Sequence, residues 1–547
     1  MAKGKGLGDA YTATLTRIKS QNGSKSRLGM EALMWISHSE RPLNTIELCQ
    51  ALGVERGDKD ENAGNVPAIQ TVLHCSLGLV AIEASSTVRL VHFTLQEHLS
   101  NASSLFHFPH SMMAEICLTF LNFRCIRDLS TTLYSPPETA PFLTYASCFW
   151  GVHARKELNE GVISLALKLL GDYDKHISSK LLLIHERDWW WHRPEQEGSN
   201  LLEGFAGLHG AAYLGIVEIT SALLDMREWD FGAAHVDGNT AFAWAARKGH
   251  EDQVKMLLGR PDVDPDVMNA DGRTPLLWAA ACGHEGIVKM LLNRNDIDPN
   301  STNQHGQTPL LVAAQDGCER MVKALLERAD ISPNTADKHG QTPLLVAAWK
   351  GHEGIMKLLL NRKDINPNAT DQYGQTPLFV AALARHEGVV KTLLERVDVN
   401  PNTADKHGQA PLCVAAWKGH EEVVKKLLNR NDIDSNAMNQ HGQTPLFVAA
   451  LDGHEKIVKA LLERVDVSPN TVDKHGQTPL LVAAWKGHEG IMKLLLNRKD
   501  INPNATDQYG QTPLFVAALA RHEGVVKTLL ERVDVNPSVR NGAVRPS

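Results

Sequence analysis

The stretch Asp337-Lys338-His339-Gly340-Gln341-Thr342-Pro343-Leu344-Leu345-Val346-Ala347-Ala348-Trp349-Lys350-Gly351-His352-Glu353 decides the architecture of this chain. Gly340 supplies the positive φ of a tight turn, Thr342 is placed to cap a helix, and Pro343 takes a helical position where its missing N–H costs nothing. Leu344, Ala347 and Ala348 give that helix one large and two small residues on its packing face, and Gly351 ends it in a left-handed cap. A second helix buries Ile355, Met356, Leu359 and Leu360, and Asn366-Pro367-Asn368 then carries the chain on extended. The pattern returns every 34 residues, at Gly238, Gly272, Gly306, Gly340, Gly374, Gly408, Gly442, Gly476 and Gly510. A degenerate copy, Ala206-Gly207-Leu208-His209-Gly210-Ala211-Ala212, precedes them and brings the total to ten. A unit this short cannot bury its own apolar face, so neighbours must stack into a mainly α solenoid, whose long concave surface suits binding better than catalysis.

The motif T-P-L-x-x-A-A-x-x-G-H with a Leu-rich second helix resembles the ankyrin repeat, and the resemblance runs from Gly204 to Pro537. The first copy keeps the family's His, at His209. Leu277, Leu311, Leu345 and Phe379 stand where later copies would have it, and each is expected to pack as an apolar residue instead. Ala410 replaces the capping Thr in one unit, which should cost that helix about 0.5–2 kcal/mol. Asp337 to Pro401 is identical to Asp473 to Pro537, which marks a duplicated block of four units. The last unit therefore copies an internal one and lacks a polar face, so the array is expected to continue, fray or dock on a partner there.

In ankyrin-like stacks the residues beside the turn glycine and the two after Ala-Ala face the groove. Lys338, His339, Gln341, Trp349 and Lys350 in one unit give way to Gln372, Tyr373, Gln375, Leu383 and Ala384 in the next. The first set returns as Lys406, His407, Gln409, Trp417 and Lys418, and again as Lys474, His475, Gln477, Trp485 and Lys486, with Tyr509 repeating Tyr373. Packed helices about 10 Å apart would place a tryptophan about every 20 Å. A groove Trp beside a Lys has the composition of an interface hot spot, and a Trp lying flat on its neighbour's helix is the plainer alternative. The recurring Gly-His-Glu triplets (Gly283-His284-Glu285, Gly351-His352-Glu353, Gly419-His420-Glu421, Gly487-His488-Glu489) form no H-E-x-x-H, and one His per unit builds no tetrahedral site. These histidines are expected to bridge turns by hydrogen bonds. No metal, cofactor or small-molecule substrate is expected.

The formal net charge of −7 gives no bulk attraction to nucleic acid or anionic lipid. The eight cysteines contain no C-x-x-C pair and read as reduced thiols of a cytosolic or nuclear protein. Neither a signal-peptide core nor a run of about 18 apolar residues is present, so no membrane partner is expected.

Before the array, Met30 to Ser37, Thr45 to Leu52 and Val66 to Cys75 read as helices, and Gly78 to Glu83 and Thr87 to Phe93 as two strands joined by Ala84-Ser85-Ser86. Helices followed by a hairpin describe a winged helix. Trp35-Ile36-Ser37, Arg41-Pro42-Leu43, Gly78-Leu79-Val80 and Val88-Arg89-Leu90-Val91-His92-Phe93-Thr94 resemble the winged-helix segment that follows the NACHT nucleotide-binding domain in fungal NOD-like (STAND) proteins. Cys117-Leu118-Thr119-Phe120-Leu121 and Tyr145 to Arg155 resemble the helical segment that links that module to ankyrin repeats. The resemblance implies a segment that transmits nucleotide state and does no chemistry itself. Yet no G-x-x-x-x-G-K-[ST] occurs, so the expectation is a truncated product or a paralogue without its NTPase domain. A hydrolase is not expected, since G-x-S-x-G is absent as well. Trp189-Trp190-Trp191 is expected to cover the apolar N-terminal end of the solenoid.

The resulting division is a lead helix (1–20), a winged-helix module (21–105), a helical linker domain (106–203), ten ankyrin-like repeats (204–537) and a tail (538–547). The expected function is that of a non-enzymatic protein-binding scaffold, the recognition arm of a NOD-like sensor. The alternative is a DNA-associated regulator acting through the winged helix. Residues 1–200 hold 19 Lys plus Arg against 21 Asp plus Glu, with no basic run to mark a recognition helix.

Overall fold

A computed structural model describes residues 7–101, 105–133, 136–187, 204–226 and 228–537. The run Trp189-Trp190-Trp191 and the 538–547 tail lie outside them. The chain divides into two compact units, Met1–Cys282 and Gly283–Ser547. The protein is mainly helical, and among the described residues its one sheet has two strands.

The first unit opens with α1 (Leu7–Lys19), α2 (Gly23–His38), α3 (Thr45–Gly53), α4 (Ile69–Cys75), β1 (Val80–Ile82), β2 (Val88–Leu90) and α5 (Phe93–Asn101). This is the expected winged helix, with three local corrections. Helix α2 starts seven residues before Met30, because Asn22 accepts from the Lys25 amide and caps it there. Helix α4 starts at Ile69 and not at Val66, since the residue before Pro67 is held extended. Phe93 belongs to α5 and not to the second strand; His92 Nδ1 accepts from the Thr94 amide and turns the chain.

The Arg41-Pro42-Leu43 motif has a clear job. Asn44 and Glu47 form a reciprocal capping box at the start of α3. Arg41 clamps the Glu47 carboxylate with both guanidinium arms, at 2.9 and 2.6 Å. The Leu43 carbonyl accepts from Val88 N–H, which attaches this loop to the hairpin.

There follow α6 (Pro109–Leu121), α7 (Arg124–Arg127), α8 (Leu143–Lys156), α9 (Glu160–Leu170) and α10 (Ile177–Arg187). Trp35 of α2 is fully buried, edge-on to Phe142 at 5.5 Å and to Tyr145 at 5.9 Å. One aromatic cluster thus joins the winged helix to the helices after it. The first repeats complete this unit. His209 is buried in the first of them, its Nε2 donating to the Ala233 carbonyl at 3.1 Å, and burial pushes its pKa down to about 4.

The second unit is a stack of helix pairs that follow the sequence reading closely. In the unit of Gly340 the helices are Pro343–Lys350 and Glu353–Leu360; Thr342 accepts from the Leu345 amide, and Gly351 ends the first helix at φ 79°. Ile355, Met356, Leu359 and Leu360 are all buried, as are Leu311, Leu345 and Phe379 in the slot of the missing His. Ala410 starts its helix in the same extended conformation as the threonines but makes no cap hydrogen bond.

Four kinds of bond tie each repeat to the next. At the turns, the Lys406 amide donates to the Tyr373 carbonyl and the Gln440 amide to that of His407, at 2.9 and 2.8 Å. At the first helix's end, a His reaches back to the preceding repeat: His352, His420 and His488 each donate from Nε2 to the carbonyls of Gln315, Leu383 and Leu451 at 3.1–3.3 Å. Since a carbonyl only accepts, Nε2 carries the proton. In the long loops one asparagine per repeat uses both ends of its amide, as where Asn402 Nδ2 donates to the Asp432 carbonyl and its Oδ1 accepts from the Asp434 amide. Finally, arginines such as Arg430 pair with Asp432 in their own loop and donate to the Leu394 and Arg396 carbonyls of the repeat before.

Candidate protein-binding groove

The groove edge is built on a side-chain-supported turn. Asp405 Oδ1 accepts from the amides of His407 and Gln409, both at 2.9 Å, and Asp337, Asp371, Asn439, Asp473 and Asp507 do the same in their units. The turn is closed by a glycine in the left-handed region, Gly408 at φ 72°. A Cβ there would meet the Gln440 amide of the next turn at 3.0 Å, so the close approach of successive turns also requires it. With their backbones committed, Lys338, His339, Lys406, His407, Lys474 and His475 leave their side chains exposed.

The first helices supply the other wall. Trp349, Trp417 and Trp485 are 45, 41 and 49% exposed, and Tyr373 and Tyr509 are more exposed still. Each tryptophan's carbonyl is held by the next repeat, through His386, His454 and His522, so its backbone is fixed while its ring stays open. The Lys418 ammonium lies 3.8 Å from the Trp417 ring centroid and Lys486 lies 4.3 Å from that of Trp485, so one face of each ring carries its own cation. Lys350 and Gln341 occupy the equivalent exposed and half-buried positions of their unit.

Three successive repeats enclose a cavity of about 310 Å³ between the turns and the helices. Trp417, Val414 and Gln409 come from the middle repeat, Gln375, Phe379 and Leu383 from the one before, and Gln440 and His441 from the one after; His407 and Asp405 edge it. The structure therefore brings His407, Gln409 and Trp417 together with Gln375 and Leu383. Lys406, Lys418 and Tyr373 do not line this cavity. Phe379, Val414, Asp405, Asn439, Gln440 and His441 also line it, though none is among the expected groove residues; Phe379 packs almost completely buried, as expected, and forms the floor. Burial lowers the pKa of His420, consistent with a neutral ring donating from Nε2.

A family model for ankyrin repeats in three copies matches overlapping windows that span residues 208–541, more than half of the chain. The chain belongs to the ankyrin-repeat family. A second model, for the winged helix domain of GPI inositol-deacylase, matches residues 17–109, upstream of the ankyrin array. Comparison with curated proteins gives no significant match. Among the described residues no helix is long and apolar enough to cross a membrane. All eight cysteines are free thiols.

Proposed function

We propose that this ankyrin-repeat protein is a non-enzymatic scaffold that binds an extended protein segment along the groove of Trp349, Trp417 and Trp485. The observation that carries this reading is the cavity at Trp417, where an exposed ring, two histidines and three glutamines converge from three repeats over an apolar floor. An aromatic anchor with polar neighbours is the composition of an interface hot spot. The spacing of one tryptophan per two repeats suits a partner with its own repeat.

The finer part of the proposal makes the array the recognition arm of a NOD-like sensor of the fungal type, acting with a nucleotide-binding domain. It is supported by the order of modules, a winged helix joined through buried aromatics to helices that lead into ankyrin repeats. A reducing compartment, cytosolic or nuclear, fits the eight free thiols. The DNA-associated alternative gains no support from α4, which carries no Lys or Arg to meet phosphates.

The test is affinity capture with the full chain against a Trp349→Ala, Trp417→Ala, Trp485→Ala variant whose helicity is intact by circular dichroism. A protein held by the native chain and lost by the variant supports the groove. Equal capture by both would move the binding face elsewhere.

A further inference from the structure

The first unit brings together three side chains that the sequence keeps far apart. Glu40 follows the end of α2, His110 sits in the first turn of α6, and His153 lies in the last turn of α8. Their ligand atoms all lie within 4.8 Å of one another. His110 Nδ1 and His153 Nδ1 face each other at 2.9 Å, and Glu40 Oε1 is 3.9 Å from His153 Nδ1. Around a tetrahedral ion with bonds of about 2.0–2.1 Å, neighbouring ligand atoms stand about 3.3 Å apart. The three donors bracket that value.

The surroundings orient these donors. His153 is fully buried, and its Nε2 lies 2.9 Å from the Tyr145 hydroxyl. The same hydroxyl oxygen accepts from the Glu40 amide at 3.0 Å, so one phenol fixes both the ring and the start of the Glu40 side chain. An outer partner on Nε2 that turns Nδ1 toward the centre is the usual support of a metal-bound histidine. Helix α6 is placed by Glu157, whose carboxylate accepts from the His110 and Ser111 amides at 2.8 and 3.1 Å. Glu157 is therefore spent on the helix start, while Glu40 is left for the centre. One side opens to a cavity of about 670 Å³ whose lining includes His38, Glu40, His107, His110 and Lys156.

We infer that Glu40, His110 and His153 form a binding site for a divalent transition-metal ion of the zinc class, with the fourth position open to this cavity. Two imidazoles and a carboxylate are a borderline N/O donor set that suits Zn²⁺ and disfavours Ca²⁺ or Mg²⁺, which take oxygen ligands. The ion would tie the segment just after α2 of the winged helix to α6 and α8, where the Trp35–Tyr145 contact already joins α2 to α8. Its competitor is Lys156, whose ammonium pairs with Glu40 Oε1 at 2.6 Å. Binding exchanges that ammonium for the metal, so the site is held neutral in charge terms by Lys156 until the ion arrives.

The probe is Co²⁺ titrated into the full chain and followed by its visible absorption, then displaced by Zn²⁺. One equivalent of Co²⁺ with a tetrahedral spectrum free of thiolate bands is expected. Glu40→Gln and His110→Ala should each weaken Co²⁺ at least about 100-fold, whereas Lys156→Gln should tighten it and His107→Ala leave it unchanged. Glu40 is exposed and the Gln replacement isosteric, so Glu40→Gln decides the matter if His110→Ala fails to fold. A native chain with no such spectrum, or equal Co²⁺ affinity in native and Glu40→Gln chains, overturns the assignment.

Discussion

Ala410 and Arg385 are two residues at which one repeat departs from its neighbours while its backbone does not. Ala410 keeps φ −83° and ψ 162°, close to the φ −86° and ψ 164° of Thr376, because the stacked repeats on either side impose that conformation. The Cys413 amide is consequently left without the hydroxyl that meets its equivalents. Ala410→Thr should restore that bond and raise stability by about 0.5–2 kcal/mol, seen as a higher urea midpoint. Arg385, like its duplicate Arg521, stands where the neighbouring units have a glycine, and it is held at φ 63°. Arg385→Gly should relieve this conformation and stabilise by about 1 kcal/mol, and no rise in the urea midpoint would contradict it. The capping Thr, the turn Gly and the helix-ending Gly were legible in the sequence because each acts within its own few residues. Arg385 was not, since nothing in an Ala-Arg-His tripeptide announces positive φ; only the frame of the repeat does. Glu40, His110 and His153 were equally hidden, because no local spacing links residues on three separate segments of the chain.

At the scale of elements, helix pairs and their buried faces followed from periodicity, and the bridging role of His352, His420 and His488 followed from their place beside the turn. What escaped the sequence was the asparagine ladder. An Asn in a Pro-Asn loop reads as turn composition, and its use appears only when the next repeat presents a carbonyl and an amide to the two ends of one side chain. Asn402→Ala removes both bonds to the following loop and should cost about 1–2 kcal/mol at that junction. Hydrogen exchange is the suitable readout, with the Asp434 amide losing protection first. Unchanged protection there would mean that the arginine and histidine bonds carry the junction without it. The groove positions rest on the resemblance to ankyrin stacks, and the period only carries them from one unit to the next. The cavity at Trp417 was not, because its floor is made by residues such as Phe379 that look like ordinary core.

For the molecule as a whole, acid sensitivity should be uneven. His176 and His209 are both buried in the first unit with pKa values pushed down to about 4. His176 Nδ1 accepts from the Ser178 amide, so a proton there would break that bond. The unfolded chain binds a proton near pH 6.5 and the folded one only near pH 4, so the stability from each is complete above about pH 6.5 and lost as pH falls toward 4. Each contributes on the order of 3 kcal/mol across that window. Hydrogen exchange at pH 5 and pH 7 should show protection falling in residues 7–282 more than in residues 283–537; a uniform fall would refute this. The asparagine ladder has a different consequence at this scale. Because every rung is made by the same amide against the same backbone atoms, any repeat can follow any other, and the copy number of the array is free to change in whole steps. Unequal crossing-over between the identical tracts that begin at Asp337 and Asp473 would excise four repeats in frame and leave a junction the protein already contains. A chain lacking residues 337–472 should therefore fold, with a shorter reach and the same pitch, which makes the length of surface the array presents a quantity that recombination alone can adjust.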